Sequence, residues 1–207
     1  MQKEKIKDIV AIFSESPGYL LKSGWLRSMA ESQAVDADGH PIPWITYPAL
    51  DFLADRIRPF MTVFEYGSGN STFWWSERVK RLISCEHDKE WYAEFRSKMP
   101  ADITYLLRRA KGGSREYAME ITTYGSIFDV VVIDGRDRVD CAKNSVSALR
   151  PNGVIVWDNS DRDEYRDGYD FLHKAAFKRL DFWGMGALAT RRWCTSIFYR
   201  TENCLDI

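Results

Sequence analysis

The sequence predicts an α/β domain built on a mostly parallel sheet, with helices on both faces. Three observations predict it. Short, near-continuous apolar runs recur from Phe60 onward, each followed by a stretch with helical spacing. The first run ends in a small-residue loop, Glu65-Tyr66-Gly67-Ser68-Gly69. The last two runs leave no room for a helix between them, so they should pair antiparallel at the end of the chain.

Residues Lys5 to Phe13 alternate charge with Ile6, Ile9, Val10, Ile12 and Phe13, a short amphipathic helix pattern that Pro17-Gly18 breaks. Asp36 to Pro43 is dense in turn formers. Thr46 then reads as the cap of a helix running to about Arg58, with Pro48 in its first turn, where proline is tolerated. Residues 1–59 therefore form a helical N-terminal cap, and residues 60–207 form the main domain. Strand 60–64 precedes helix 71–79. Strand 81–85 precedes helix 89–98, which Asp88 should cap. Strand 103–107 precedes a looser helix near 114–122. Strand 128–133 precedes helix 139–149. The turn Pro151-Asn152-Gly153 feeds strand 154–157, which precedes helix 163–177. Strands 177–182 and 193–199 close the chain. Trp74 and Trp75, in the first helix, read as core packing.

The bulk numbers bound the function. A chain of 207 residues, 45% hydrophobic, suits one substantial core. The net charge of -1, from 29 basic and 30 acidic residues, does not ask for nucleic acid or an anionic membrane. Arg108-Arg109-Ala110-Lys111 and Arg191-Arg192 are short basic clusters, read as solvated faces or as a rim that attracts an anionic substrate. No run approaches the ~20 apolar residues of a membrane span. Cys85, Cys141, Cys194 and Cys204 form no C-x-x-C pair, which fits a reduced, cytoplasmic setting.

A strand, a glycine-rich turn and a helix N-terminus make a natural nucleotide cradle. Glycines allow close backbone approach, and the helix start offers free amides. Gly67-x-Gly69-x-x is followed by Thr72, so the third glycine of a dinucleotide fingerprint is missing; no lysine makes it a phosphate loop.

With this loop, the acid Glu86 ending the second strand and Asp134 ending the fourth, the chain resembles the class I S-adenosylmethionine-dependent methyltransferases over roughly Phe60 to Tyr199. The resemblance implies a Rossmann-like fold with a seven-stranded, mostly parallel sheet and an antiparallel last strand. It implies S-adenosyl-L-methionine as cofactor, held by Glu65, Gly67, Ser68, Gly69, Glu86, His87 and Asp134. Glu86 would accept hydrogen bonds from the ribose hydroxyls. Glu65 would help hold the cofactor's amino group or simply anchor the loop. The adenine contacts after strand three, where Arg108-Arg109-Ala110 stands, are not assigned.

Asp134, Asp158 and Asn159 end strands four and five and should meet at one edge. The set resembles that of the metal-dependent catechol-type O-methyltransferases, which implies Mg²⁺ on these three oxygen-bearing side chains. The lysine base of those enzymes is absent. Arg136 stands nearby, cannot act as an ordinary base and could hold an anionic acceptor. Asp134 and Arg136 are the catalytic candidates, with His40 and His173 as further candidate bases. The expected function is methylation of a small hydroxylated metabolite or sugar by in-line transfer. The alternatives are a non-catalytic cofactor-binding relative and a nicotinamide-dependent oxidoreductase.

Overall fold

The structure is a computed structural model that describes residues 18–110 and 115–207. The amphipathic pattern at 5–13 lies outside the described residues, as do Lys111 and Ser114. Seven strands form one sheet: β1 (Thr62–Tyr66), β2 (Arg81–Glu86), β3 (Thr104–Leu107), β4 (Phe128–Ile133), β5 (Leu149–Asp158), β6 (Lys178–Gly184) and β7 (Trp193–Tyr199). Their spatial order is β3-β2-β1-β4-β5-β7-β6. The first five run parallel, and β7 is inserted antiparallel between β5 and β6.

The central strands read as apolar runs because both of their faces are covered. Every residue of β1 and β4 is buried. Alternate positions feed two cores: Val63, Val130 and Val154 point into one, Phe64, Val131 and Ile155 into the other. The N-terminal residues Ile42, Ile45, Tyr47, Leu50 and Leu53 join the first core. The strand order reverses beside β1, where β2 and β4 diverge, and ligands bind at such a switch point in open α/β sheets.

Several local expectations shift. The helix that starts the main domain's approach is Tyr47–Arg56, with a proline in its first turn, but Thr46 does not cap it. Its hydroxyl donates instead to Phe182 O at 3.1 Å, and Tyr47 N donates to Met185 O at 2.7 Å, because this segment docks on the link after β6. The turn expected at 151–153 lies inside β5, with a register irregularity between Phe128 and Val130. A Cβ on Gly153 would stand 2.9 Å from Phe128 O, so glycine lets the strand stay against β4. Asp88 caps its helix as expected, accepting from Glu90 N at 2.9 Å and Trp91 N at 3.0 Å. Trp74 and Trp75 are core residues.

Candidate functional site

β1 delivers Glu65 into the protein interior, where it is 1% exposed. Thr72 and Ser84 hydroxyls both donate to its Oε2 at 2.6 Å, while Oε1 has no partner among the described residues. Burial pushes its carboxyl up to about 7. The next turn is tied on both sides: Gly67 N donates to Cys85 O at 2.9 Å and Asp134 N to Tyr66 O at 3.0 Å. Gly67 has φ +91, and a Cβ there would lie 3.1 Å from the Asp134 carbonyl. Gly69 is less constrained, since a Cβ would meet only the Trp91 ring at 3.7 Å. Trp91 lies over this loop and donates from Nε1 to Ser68 O at 2.8 Å.

Glu86 ends β2 and is 3% exposed. Ser68 N and Oγ donate to its Oε2 at 3.0 and 2.8 Å; His87 N and Asp88 N donate to Oε1 at 2.7 and 2.8 Å. Burial alone would raise this carboxyl, but the donors from His87, Asp88 and Ser68 outweigh it and hold it below the usual range. His87 lines two smaller clefts, one of them with Asp88 and Arg109.

Asp134 and Asp158 both face a large cleft, ≈ 1110 Å³, bounded by the N-terminal segment, the glycine loop and the link between β6 and β7. Burial and the neighbouring Asp158 push Asp134 up. Asp158 is 3% exposed, and its Oδ1 accepts from Trp193 Nε1 at 2.9 Å and Thr195 Oγ1 at 2.5 Å. Asn159 sits at φ 50, lines the same cleft, and its Oδ1 accepts from Arg162 Nη2 at 3.2 Å. Arg136 is exposed and lines the two smaller clefts beside His87, not the large one. His40 is an exposed partner of Asp36, and His173 lies on the helix Arg166–Lys174 and lines none of these clefts.

No protein-family model and no curated protein matches the sequence. Solved structures do match. A precorrin-6y C5,15-methyltransferase from Geobacter metallireducens GS-15 matches with a TM-score of 0.60 at 14% identity, over 82% of this chain and 98% of its own. A methyltransferase from Geobacter sulfurreducens covers 95% of this chain and 96% of its own, with a TM-score of 0.55 and 13% identity. A Streptococcus mutans protein in complex with SAH matches over 72% of this chain and 94% of its own, with a TM-score of 0.53 and 13% identity. The chain has the class I methyltransferase fold.

Within that methyltransferase fold, the loop suits the cofactor expected from the sequence. Gly67 brings bare backbone to the rim, and the orphaned Glu65 Oε1 is a buried acceptor that suits an ammonium donor. Glu86 is less open than expected, because four protein donors already surround its carboxylate. The three oxygen-bearing side chains expected for Mg²⁺ do come to one rim. Asp134 Oδ1, Asp158 Oδ1 and Asn159 Oδ1 are each already engaged by arginine, tryptophan or threonine donors, which leaves one oxygen on each carboxylate for a divalent ion that favours several oxygen ligands. Among the described residues, the one cluster of three His, Cys, Asp or Glu ligand atoms within reach of each other is Asp36, Asp38 and His40, on the exposed turn.

Arg138 was not singled out by the sequence pattern. Its four-residue spacing from Asp134 was the available signal, since such a pair can meet at a helix start. Nor was Trp91, whose helix is set over the loop by the Asp88 cap.

Proposed function

We propose that this protein is an S-adenosylmethionine-dependent methyltransferase that methylates a hydroxyl of a small acceptor bearing an acidic group. One observation carries the reading: the Gly67 loop, Glu86 and Asp134 converge at the switch point of a methyltransferase fold, beside a cleft of ≈ 1110 Å³. A cleft of that size accommodates the reactive end of the cofactor and a small acceptor.

Gly67, Ser68, Gly69 and Glu86 would hold the cofactor, and Glu65 its amino group. When bound, the cofactor supplies an activated sulfonium methyl. Asp134, raised by burial and by Asp158 and lining the cleft, would take the acceptor's proton as in-line transfer proceeds. Trp44, Trp91 and Trp193 line the cleft and give an acceptor apolar surface to pack on. Arg191 and Arg192 stand on its rim with no carboxylate partner among the described residues, which favours an anionic acceptor. Arg136 lies on the His87 side and is better suited to the nucleoside end than to the acceptor. Four free thiols fit a reduced, cytoplasmic setting. No helix among the described residues is long and apolar enough to cross a membrane.

Incubation with methyl-labelled cofactor tests the reading, using catechols, hydroxybenzoates, sugars, sugar phosphates and a short structured RNA as acceptors. Label should pass to a small hydroxylated acid and not to RNA. Labelling of RNA, or of amines alone, overturns it. Cofactor binding with no transfer to any acceptor supports the non-catalytic alternative.

A further inference from the structure

Arg138 is the most enclosed cation at the rim of the large cleft's acidic edge. It opens the helix Arg138–Ala148 directly after β4 and is only 8% exposed. All three nitrogens of its guanidinium are spent on that edge. Nη2 donates to Asp134 Oδ1 at 3.0 Å, Nε donates to Gly135 O at 3.0 Å, and Nη1 donates to the Asp158 carbonyl. The planar fork therefore ties the end of β4 to the end of β5.

We propose that the Arg138 guanidinium is the resident counter-cation of this edge. It takes the part that the resemblance assigned to a divalent metal, and it makes the acceptor site metal-independent. The proposal rests on reading this edge as the acceptor site, but its test requires no acceptor. Two neighbouring carboxylates, Asp158 buried and Asp134 partly so, are stabilised by a nearby positive charge. A divalent ion would need several free oxygens around it and room for its waters. Here a fixed guanidinium already engages Asp134, and the Trp193 indole and Thr195 hydroxyl already engage Asp158. The hydroxyl of Thr195 is itself held, accepting from Thr46 N at 3.1 Å, so the Asp158 side is braced through the N-terminal segment. Arg138 is thus a positioning residue: it sets Asp134 without being placed to touch the reacting atoms.

Mn²⁺ binding, read by electron paramagnetic resonance on the full chain, separates this role from a merely structural one. Wild-type protein should hold no stoichiometric Mn²⁺ that Asp158→Asn removes. Arg138→Met should gain a 1:1 ion, at least about tenfold tighter than any wild-type binding, because it frees the Asp134 carboxylate and removes the cation beside Asp158. Adding Asp158→Asn to Arg138→Met should abolish the gain, which excludes the exposed Asp36 cluster as its source. Arg138→Lys should keep the ion out. Wild-type protein that binds one Mn²⁺ through Asp158, or Arg138→Met that folds and gains none, overturns the proposal. If Arg138→Met does not fold, the pair Arg138→Met/Asp134→Asn removes both charges and should regain the native fold; failure to do so overturns it. Loss of cofactor binding by wild-type protein would instead count against the proposed activity and leave these metal outcomes readable.

Discussion

Gly67 and Gly69 stand two residues apart and make different demands. Gly67 has a positive φ and backs onto the Asp134 carbonyl, whereas Gly69 has ordinary van der Waals space around it. Gly67→Ala should therefore lower unfolding stability by about 1–2 kcal/mol, the cost of placing an L-residue in left-handed backbone, while Gly69→Ala stays within about 1 kcal/mol of wild type. Urea unfolding monitored by circular dichroism measures both. Equal losses would contradict the loop geometry. Glu65 offers a second residue-scale outcome. Its folded carboxyl is raised to about 7 by burial, so the fold binds a proton that the unfolded chain releases near the ordinary carboxylate value. This contribution is fully present below the unfolded pKa and is lost as pH rises through about 7. Stability should fall across that window by up to about 3 kcal/mol, and Glu65→Gln should flatten the fall. A wild-type profile that rises with pH there, or is unchanged by the substitution, would contradict the buried setting of Glu65.

At the scale of elements, the cleft is closed by segments far apart in sequence. The link after β6 meets the N-terminal segment through the Thr46–Gly186 bridge, and Trp25 Nε1 donates to Ala189 O at 2.8 Å. A Cβ on Gly186 would lie 2.1 Å from Ile45 O. Gly186→Ala should displace the link carrying Arg191 and Arg192, so it should weaken acceptor turnover by about tenfold or more, with cofactor affinity changed far less. Parallel KM and cofactor Kd measurements check this; an equal loss in both would place the link at the cofactor instead. This scale also shows what the sequence could and could not carry. β1, β2 and β4 were legible because they are buried on both faces, and β7 because no helix fits before it. Thr46 misled because a hydroxyl at a helix start has two possible uses, and tertiary docking took it for Phe182 O. Pro151-Asn152-Gly153 misled because glycine serves a strand irregularity as readily as a turn.

At the scale of the whole molecule, the strand order carries the functional argument, because it brings the ends of β1, β2 and β4 to one rim. The rim proposed to hold the cofactor was visible in sequence as a pattern, since Glu65, Gly67 and Glu86 all follow apolar runs at their ends. Their partners were not: Ser68 on Glu86, and Arg138 on Asp134, depend on side-chain packing that spacing alone does not encode. The same holds for the wall of the large cleft, assembled from residues such as Trp44, Asn159 and Arg192. The most direct measurement is calorimetric titration of the full chain with S-adenosylhomocysteine. A single site is expected, with affinity reduced at least about tenfold in Glu86→Ala and no heat with NAD⁺. Absence of binding by wild-type protein, or affinity left intact in Glu86→Ala, would contradict the account.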